Sequence, residues 1–288
     1  MAKTQVTNLP NFDIRPKSIS QDGVVTFTDG TNNVVPNQVQ CEAYGYTYDV
    51  LTGTCRIFRF KGNIQGNITR ETNKIEGNNN ILAAQTDSSF ISGQDNRING
   101  YSRNNIITGT QNQISSNINN ATVLGINGRA SRQSEFALGG GLNSINSGAA
   151  FADRQMSVIQ LSGYTTDNTA TSLTVNNQGG NFINVRNNSI IGWEVFLTRL
   201  EVGGSSGTAG NFSYRLFQGC TVVDNSYSMT FTTGFTRNIA KSGVNGTFAM
   251  IDSGSNTMTV QCTDRNNVNN IWNAIVYLHE LTSTNITF

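Results

Sequence analysis

Between Ile75 and Arg132 one triplet returns every 16 residues: Ile75-Glu76-Gly77, Ile91-Ser92-Gly93, Ile107-Thr108-Gly109 and Val123-Leu124-Gly125. A second phase runs between these copies as Asn80-Ile81-Leu82, Asn96-Arg97-Ile98 and Asn112-Gln113-Ile114, and Gly128-Arg129-Ala130 closes it in weaker form. The aliphatic positions therefore alternate in steps of 7 and 9, whereas an amphipathic helix needs steps of about 3 and 4. Short aliphatic pulses, each followed by Gly or Asn, predict two short strands and two turns per repeat. The expected structure is a β-solenoid whose walls are built on Ile75, Leu82, Ile91, Ile98, Ile107, Ile114 and Val123, with Gly77, Gly93, Gly109 and Gly125 at the turns.

Such a coil is thinly supported. Ordering a residue's backbone costs roughly 1 kcal/mol or more, and each coil offers only two or three aliphatic side chains, worth about 1.5–3 kcal/mol apiece when buried. Strand pairing between coils offsets part of the deficit. Burial of a second face against identical chains would close the gap, so the expectation is an obligate homo-oligomer, a trimer about a long axis.

Bulk properties exclude several classes of partner. The 288 residues carry a net charge of +1 and only 13% are charged, which gives no electrostatic attraction to nucleic acid or to a membrane surface. No apolar run approaches the roughly 18 residues of a membrane span, and no apolar segment follows the N-terminal Lys3, so neither membrane insertion nor a signal peptide is expected. The 29 Gly suit tight turns. The periodic aliphatic residues, with 15 Phe and 8 Tyr that need packing, argue against disorder.

The chain divides into three regions. Residues 1–60 hold all three prolines and strand-like stretches at Val24–Thr28 and Arg56–Lys61, and they suit attachment to another protein. Cys41 and Cys55 bracket a turn-rich stretch there. A disulfide between them would be worth about 3 kcal/mol, although cytosolic assembly would disfavour its formation. Residues 61–150 form the roll, beginning near Asn63–Ile68 and ending at Ala137–Asn143. Asn at its turns is expected to take left-handed backbone and to stack as ladders. Residues 151–288 lose the period and gain longer strands, of which Trp193–Val202 is the strongest, and they read as an antiparallel β-sandwich or jelly-roll. Phe212, Tyr214, Leu216 and Cys220 share one parity, and Met258, Val260 and Cys262 another, each taken as the inward face.

The coil pattern resembles the β-roll heads of trimeric autotransporter adhesins, and similar rolls occur in fibre and spike proteins of tailed bacteriophages. The run Thr165–Thr171, the Trp193–Val202 and Phe212–Leu216 strands and the closing Ile271-Trp272 strand are similar to C-terminal domains that come after such rolls in phage fibres. The resemblance implies a trimeric virion fibre, assembled in the host cytoplasm. The N-terminal region would attach it to another virion protein, and its C-terminal knob would meet a host-surface glycan or protein. A passive capsid decoration or spacer, or a glycan-cleaving tailspike, is the alternative.

The residues offer little chemistry of their own. His279 is the only histidine, so a nucleophile–histidine arrangement would have to use it. Glycan hydrolysis asks for paired carboxylates. Glu194 and Glu201 lie on opposite faces of one strand, Asp224, Asp252 and Asp264 read as turn residues, and the roll holds few acids, Glu135 among them. The sequence therefore assigns no catalytic, metal or ligand-binding residue and no cofactor, and the expectation is that the chain is not an enzyme.

Overall fold

The computed structural model describes residues 13–20, 23–50, 52–57, 73–83, 85–141 and 152–282. The expected start of the roll at 63–68, residues 58–61 of the basic strand and the stretch 142–151 lie outside them. Contacts divide the chain into two compact units, Met1–Glu71 and Thr72–Phe288.

In the first unit, β1 (Arg15–Ile19), β2 (Val25–Thr28) and β3 (Asn33–Val34) form a small antiparallel sheet. A six-residue helix, α1 (Gln38–Ala43), comes next, and β4 (Thr47–Asp49) pairs with β5 (Thr54–Arg56). Asn37 caps α1 by accepting from the Gln40 amide, and the Gln40 side chain accepts from the Asn37 amide in return. Phe27 is fully buried and takes Tyr44 and Tyr46 edge-on, with ring centroids 5.6 and 6.2 Å away. Beside it Cys41 and Cys55 are joined as a disulfide with Cα atoms 5.7 Å apart.

The second unit opens with the solenoid. Its wall strands are β6 (Lys74–Asn78), β7 (Ile81–Leu82), β8 (Phe90–Gln94), β9 (Arg97–Ile98), β10 (Ile106–Thr110), β11 (Gln113–Ile114), β12 (Thr122–Ile126), β13 (Arg129–Ala130) and β14 (Phe136–Gly140). The five-residue strands stack in parallel register as one sheet and the two-residue strands as another. Between them Ile91, Ile107, Val123 and Ala137 face Ile98, Ile114 and Ala130, all fully buried. Partners on neighbouring strands are 16 residues apart from Ile106 to Thr122 but 14 apart from Thr122 to Phe136. The last coil is both shorter and thinner, since Ala replaces Ile on both walls.

Turn chemistry fixes the coil. Gly77, Gly93, Gly109 and Gly125 all have φ between +89° and +123°, and a Cβ on Gly93 would lie 2.0 Å from the Gly109 carbonyl oxygen of the next coil. Asn79, Asp95, Gln111 and Asn127 turn the next corner in left-handed backbone, and Ser88, Asn104, Asn120 and Ser134 turn the opposite one. A column of asparagines completes the corner. Asn80 Oδ1 accepts from the Asn96 amide (3.0 Å), Asn96 Oδ1 from the Asn112 amide (3.0 Å), and Asn112 Oδ1 from the Gly128 amide (2.7 Å). Each Nδ2 donates to the turn glycine of the next coil, at 2.8–2.9 Å. Asn96 and Asn112 are fully buried, and their side chains satisfy the buried Asn112 and Gly128 amides.

The solenoid does not end in a break. β14 pairs antiparallel with β15 (Arg154–Thr165) over Gln155–Val158. After β16 (Thr171–Ser172), β17 (Thr174–Val175) and β18 (Ile183–Asn184) come the long strands β19 (Ser189–Gly203), β20 (Phe212–Val223) and β21 (Met229–Lys241). The last three are β22 (Thr247–Gly254), β23 (Thr257–Thr263) and β24 (Asn269–Thr282). The order β21-β20-β19-β24-β15-β14-β12-β10-β8-β6 makes one sheet of the coil wall and the long strands. A four-stranded sheet of β16, β18, β22 and β23 covers the inner face of the long strands. Trp193, Trp272 and Phe217 pack there against Met258, Val260 and Cys262. The protein is thus all-β apart from α1 among its described residues, and it contains a short β-solenoid. No helix among the described residues is long and apolar enough to cross a membrane.

One parity assignment is corrected. On β20 the inward residues are Ser213, Phe217, Thr221 and Val223, so Phe212, Tyr214, Leu216 and Cys220 point outward. Cys220 is consequently half-buried and free, while Cys262 is buried in the core of the other sheet, and the two form no pair.

Candidate functional site

The outer face of the long sheet carries a hollow of about 340 Å³. Three adjacent strands contribute a glycine each: Gly192 on β19, Gly219 on β20 and Gly234 on β21. Gly219 is required by packing, because a Cβ there would lie 2.3 Å from the Trp193 ring and from the Thr232 carbonyl oxygen. A Cβ on Gly192 or Gly234 would meet nothing closer than 3.6 Å, so these two positions leave open space that packing does not demand.

Around this floor stand Glu194, Gln218, Phe235 and His279. Strand register brings them together: Glu194 pairs with Gln218 across β19/β20, Gln218 with Phe235 across β20/β21, and Gly192 with His279 across β19/β24. Gln218 donates to Glu194 Oε1 at 2.9 Å. The wall therefore presents a carboxylate, an amide and an imidazole beside an aromatic ring, the latter two outward on their strands. His279 also lines a second hollow of about 410 Å³, bounded by Leu138, Arg154, Met156 and Glu280 at the join between coil and long strands.

Beneath that second hollow lies a buried charge cluster. The Arg132 guanidinium donates to Glu135 at 2.8 Å and to both oxygens of Glu280. Ser157 Oγ donates to Glu280 Oε2 at 3.1 Å, and the Arg132 Nε–H reaches the Asn184 carbonyl at 2.8 Å. Burial on its own pushes the Glu280 carboxyl up, but Arg132, aided by Arg186 and Ser157, outweighs it and holds the group below the usual carboxylate range. Burial likewise depresses Arg186. The cluster ties the last coil (Arg132, Glu135) to β15 and β24, and it fixes the backbone on which His279 rides. A second buried group sits toward the other end of β19, where Arg199 is bonded to Asp264 and Arg265 reaches Glu201 at 2.9 Å. Asp264, read from sequence as a turn carboxylate, is thus buried against an arginine.

The repeat residues Ile75, Gly77, Leu82, Ile91, Gly93, Ile98, Ile107, Gly109, Ile114, Val123 and Gly125 all lie in the coil walls and corners, and none reaches either hollow. Cys41 and Cys55 lie in the other unit. Sequence reasoning weighs Glu194 and His279 singly and misses their meeting with Gln218, because the order of strands β21-β20-β19-β24 is not written in any local pattern.

No protein-family profile and no curated protein matches the chain. Solved structures do. The likeness is to bacteriophage tailspikes. One is the tailspike of Acinetobacter baumannii bacteriophage Fri1, a capsular polysaccharide depolymerase, at 10% identity and a TM-score of 0.28, covering 73% of this chain and 38% of that one. Another is the tailspike of Acinetobacter baumannii phage AM24, at 5% identity and a TM-score of 0.27, covering 72% of this chain and 49% of that one. A third, the tailspike of Acinetobacter phage vB_ApiP_P1, has 10% identity and a TM-score of 0.22, over 70% of this chain and 49% of that one. The chain spans less than half the length of each. The resemblance is a distant one, to β-solenoid tailspikes of bacteriophage. The expectation that the chain is not an enzyme is corrected here, since a polysaccharide depolymerase stands among the structures it resembles.

Proposed function

We propose that the chain is a tailspike-type component of a bacteriophage virion that engages host-surface polysaccharide at the Glu194–Gln218–His279 hollow and degrades it. The observation that carries this reading is the convergence of a carboxylate, an imidazole, an amide and Phe235 on one open hollow whose glycine floor is wider than packing demands. A carboxylate and an amide suit sugar hydroxyls, an aromatic ring suits the apolar face of a sugar ring, and carboxylate and imidazole are the groups that move protons in glycan cleavage. The N-terminal region 1–60 is assigned to attachment on another virion protein, the roll to a stiff spacer, and the two-sheet region beyond it to a sandwich-like knob. Three copies in a homotrimer would multiply weak sites through effective concentration.

Purified full chain is incubated with capsular polysaccharide from a panel of host strains, and new reducing ends and chain length are monitored. Products that are lost in Glu194→Gln and His279→Ala, with retained β-sheet circular dichroism, support the reading. Products that persist in both variants place the chemistry elsewhere. A second reading, attachment without cleavage, is favoured by the Gln218 hydrogen bond that engages Glu194 as an acceptor. Polysaccharide retained on the chain without any shortening would support that reading instead.

A further inference from the structure

The long strands reach well past the coil. β14 pairs with β15 only up to Val158, while β15 runs on to Thr165 and its neighbours run with it. In that overhang the register aligns Tyr164, Ile271, Leu200 and Phe212 as one outward row, with Ile275, Phe196 and Leu216 as another. The two rows are separated by an outward row of Ser162, Asn273, Thr198 and Tyr214, and toward the far end of the strands the inward side turns polar, with Arg199, Glu201, Ser213 and Asn270. An antiparallel sheet with one wet face alternates apolar-in and polar-out, whereas a sheet covered on both faces reads as nearly continuous apolar strands. The run from Ile271 to Leu278 is of the second kind.

From these rows we infer that the overhanging outer face of the long sheet, centred on Leu200, Phe212 and Ile271, is where copies of this chain join one another. Tyr164, Leu200, Val202, Phe212, Ile271 and Ile275 are 37–50% exposed. With the half-buried Phe196, Tyr214 and Leu216 they present roughly 600–700 Å² of apolar surface, above the about 300–600 Å² of a typical monomer's largest patch. That area approaches the about 800 Å² per partner of a stable protein interface. On β15, β24, β19 and β20 the outward side chains of these rows are uncharged, which suits a near-neutral partner such as a second copy of this chain, with its net charge of +1. The neighbouring strand β21 pairs with β20 and is exposed on nearly every residue; it sets the charged Arg237 opposite Leu216 and so bounds the second row on that side. The Glu194–His279 hollow sits about 20 Å along β19 from the patch centre at roughly 3.3 Å per residue. This inference rests on the homo-oligomer reading above and names its surface.

Intact chain is compared with Leu200→Lys/Ile271→Lys and with Gln178→Lys, a control in an exposed turn, by sedimentation at micromolar concentration. The expected result is an oligomer for the unaltered chain and the control, and single-chain mass with retained β-sheet circular dichroism for the double variant. Hydroxyl-radical labelling of the unaltered chain covers the case in which the double variant does not fold. Tyr164 and Tyr101 are 50% and 62% exposed in the single chain, and Tyr164 is expected to be labelled several-fold more slowly. An unaltered chain that sediments singly overturns both the oligomer reading and this surface. An oligomer in which Tyr164 is labelled as fast as Tyr101, or a folded double variant that keeps the oligomer's mass, overturns the surface alone. Loss of polysaccharide retention with the oligomer intact overturns it too, in favour of a sugar platform.

Discussion

Replacing Asn112 by Ala tests the coil architecture at a single side chain. Asn112 is fully buried; its Oδ1 accepts from the Gly128 amide at 2.7 Å and its Nδ2 donates to the Gly125 carbonyl at 2.8 Å. Alanine leaves the buried Gly128 amide and the half-buried Gly125 carbonyl without that partner. A buried polar group left unpaired costs about 1–3 kcal/mol, so the substitution is expected to destabilise the Thr72–Phe288 unit by about 3 kcal/mol. For a unit of some 150–250 residues, 1 kcal/mol moves the melting temperature by about 2–4 °C, which gives a fall on the order of 10 °C. Thermal unfolding by circular dichroism at fixed protein concentration reads the shift, and amide hydrogen exchange reads protection at Gly128. Thr108→Ala, at an exposed site on the same coil, is expected to stay within about 0.5 kcal/mol. A melting temperature for Asn112→Ala within 2 °C of the unaltered chain, with Gly128 still protected, would refute the asparagine column as a support of the coil, since about 10 °C is expected.

Gly93→Ala should be worse than a propensity change, because left-handed backbone alone costs a non-glycine residue about 1–2 kcal/mol and the new Cβ meets the Gly109 carbonyl at 2.0 Å. Gly179→Ala, with nothing within 4 Å, should leave the melting temperature near that of the parent. Glu280 is held below its ordinary carboxylate range, so its contribution to stability is complete above pH 4.5 and is lost as the pH falls below that value. Acid titration monitored by hydrogen exchange in β24 should show this loosening. Glu280→Gln should flatten that acid dependence and lower stability at neutral pH, since breaking a buried ion pair from one side costs about 3–5 kcal/mol. Reduction of Cys41–Cys55, or Cys41→Ser, should destabilise the Met1–Glu71 unit by about 3 kcal/mol. The transition of the other unit should not move under the same reduction, as calorimetry would show.

The coil is legible in the sequence because its constraints are local. A 16-residue period places Ile91 over Ile107, and only glycine tolerates the close approach at Gly93 and Gly109, so a string of residues announces both. The shortened last coil hides behind the same logic: Phe136-Ala137-Leu138-Gly139 keeps the vocabulary but arrives two residues early, and its strand belongs to the coil as much as to the long antiparallel strands. The outward parity of β20 is illegible for a different reason. Both sides of β20 carry apolar residues, so a single strand does not say which of them faces the core; Phe212, Tyr214 and Leu216 fall on the wrong side of the sequence reading on that ground. The candidate site is the least legible, because Glu194, Gln218 and His279 are brought together by long-range register alone, between strands separated by as much as 85 residues of chain from Glu194 to His279.

The central claim is that a solenoid this slender, continued by a sheet whose far end turns Leu200, Phe212 and Ile271 outward, works as an assembly of identical chains. Equilibrium sedimentation of the intact protein at micromolar concentration is the most direct measurement. The account predicts a particle of three times the 31.2 kDa chain mass. A well-folded species of 31.2 kDa that does not associate would contradict it.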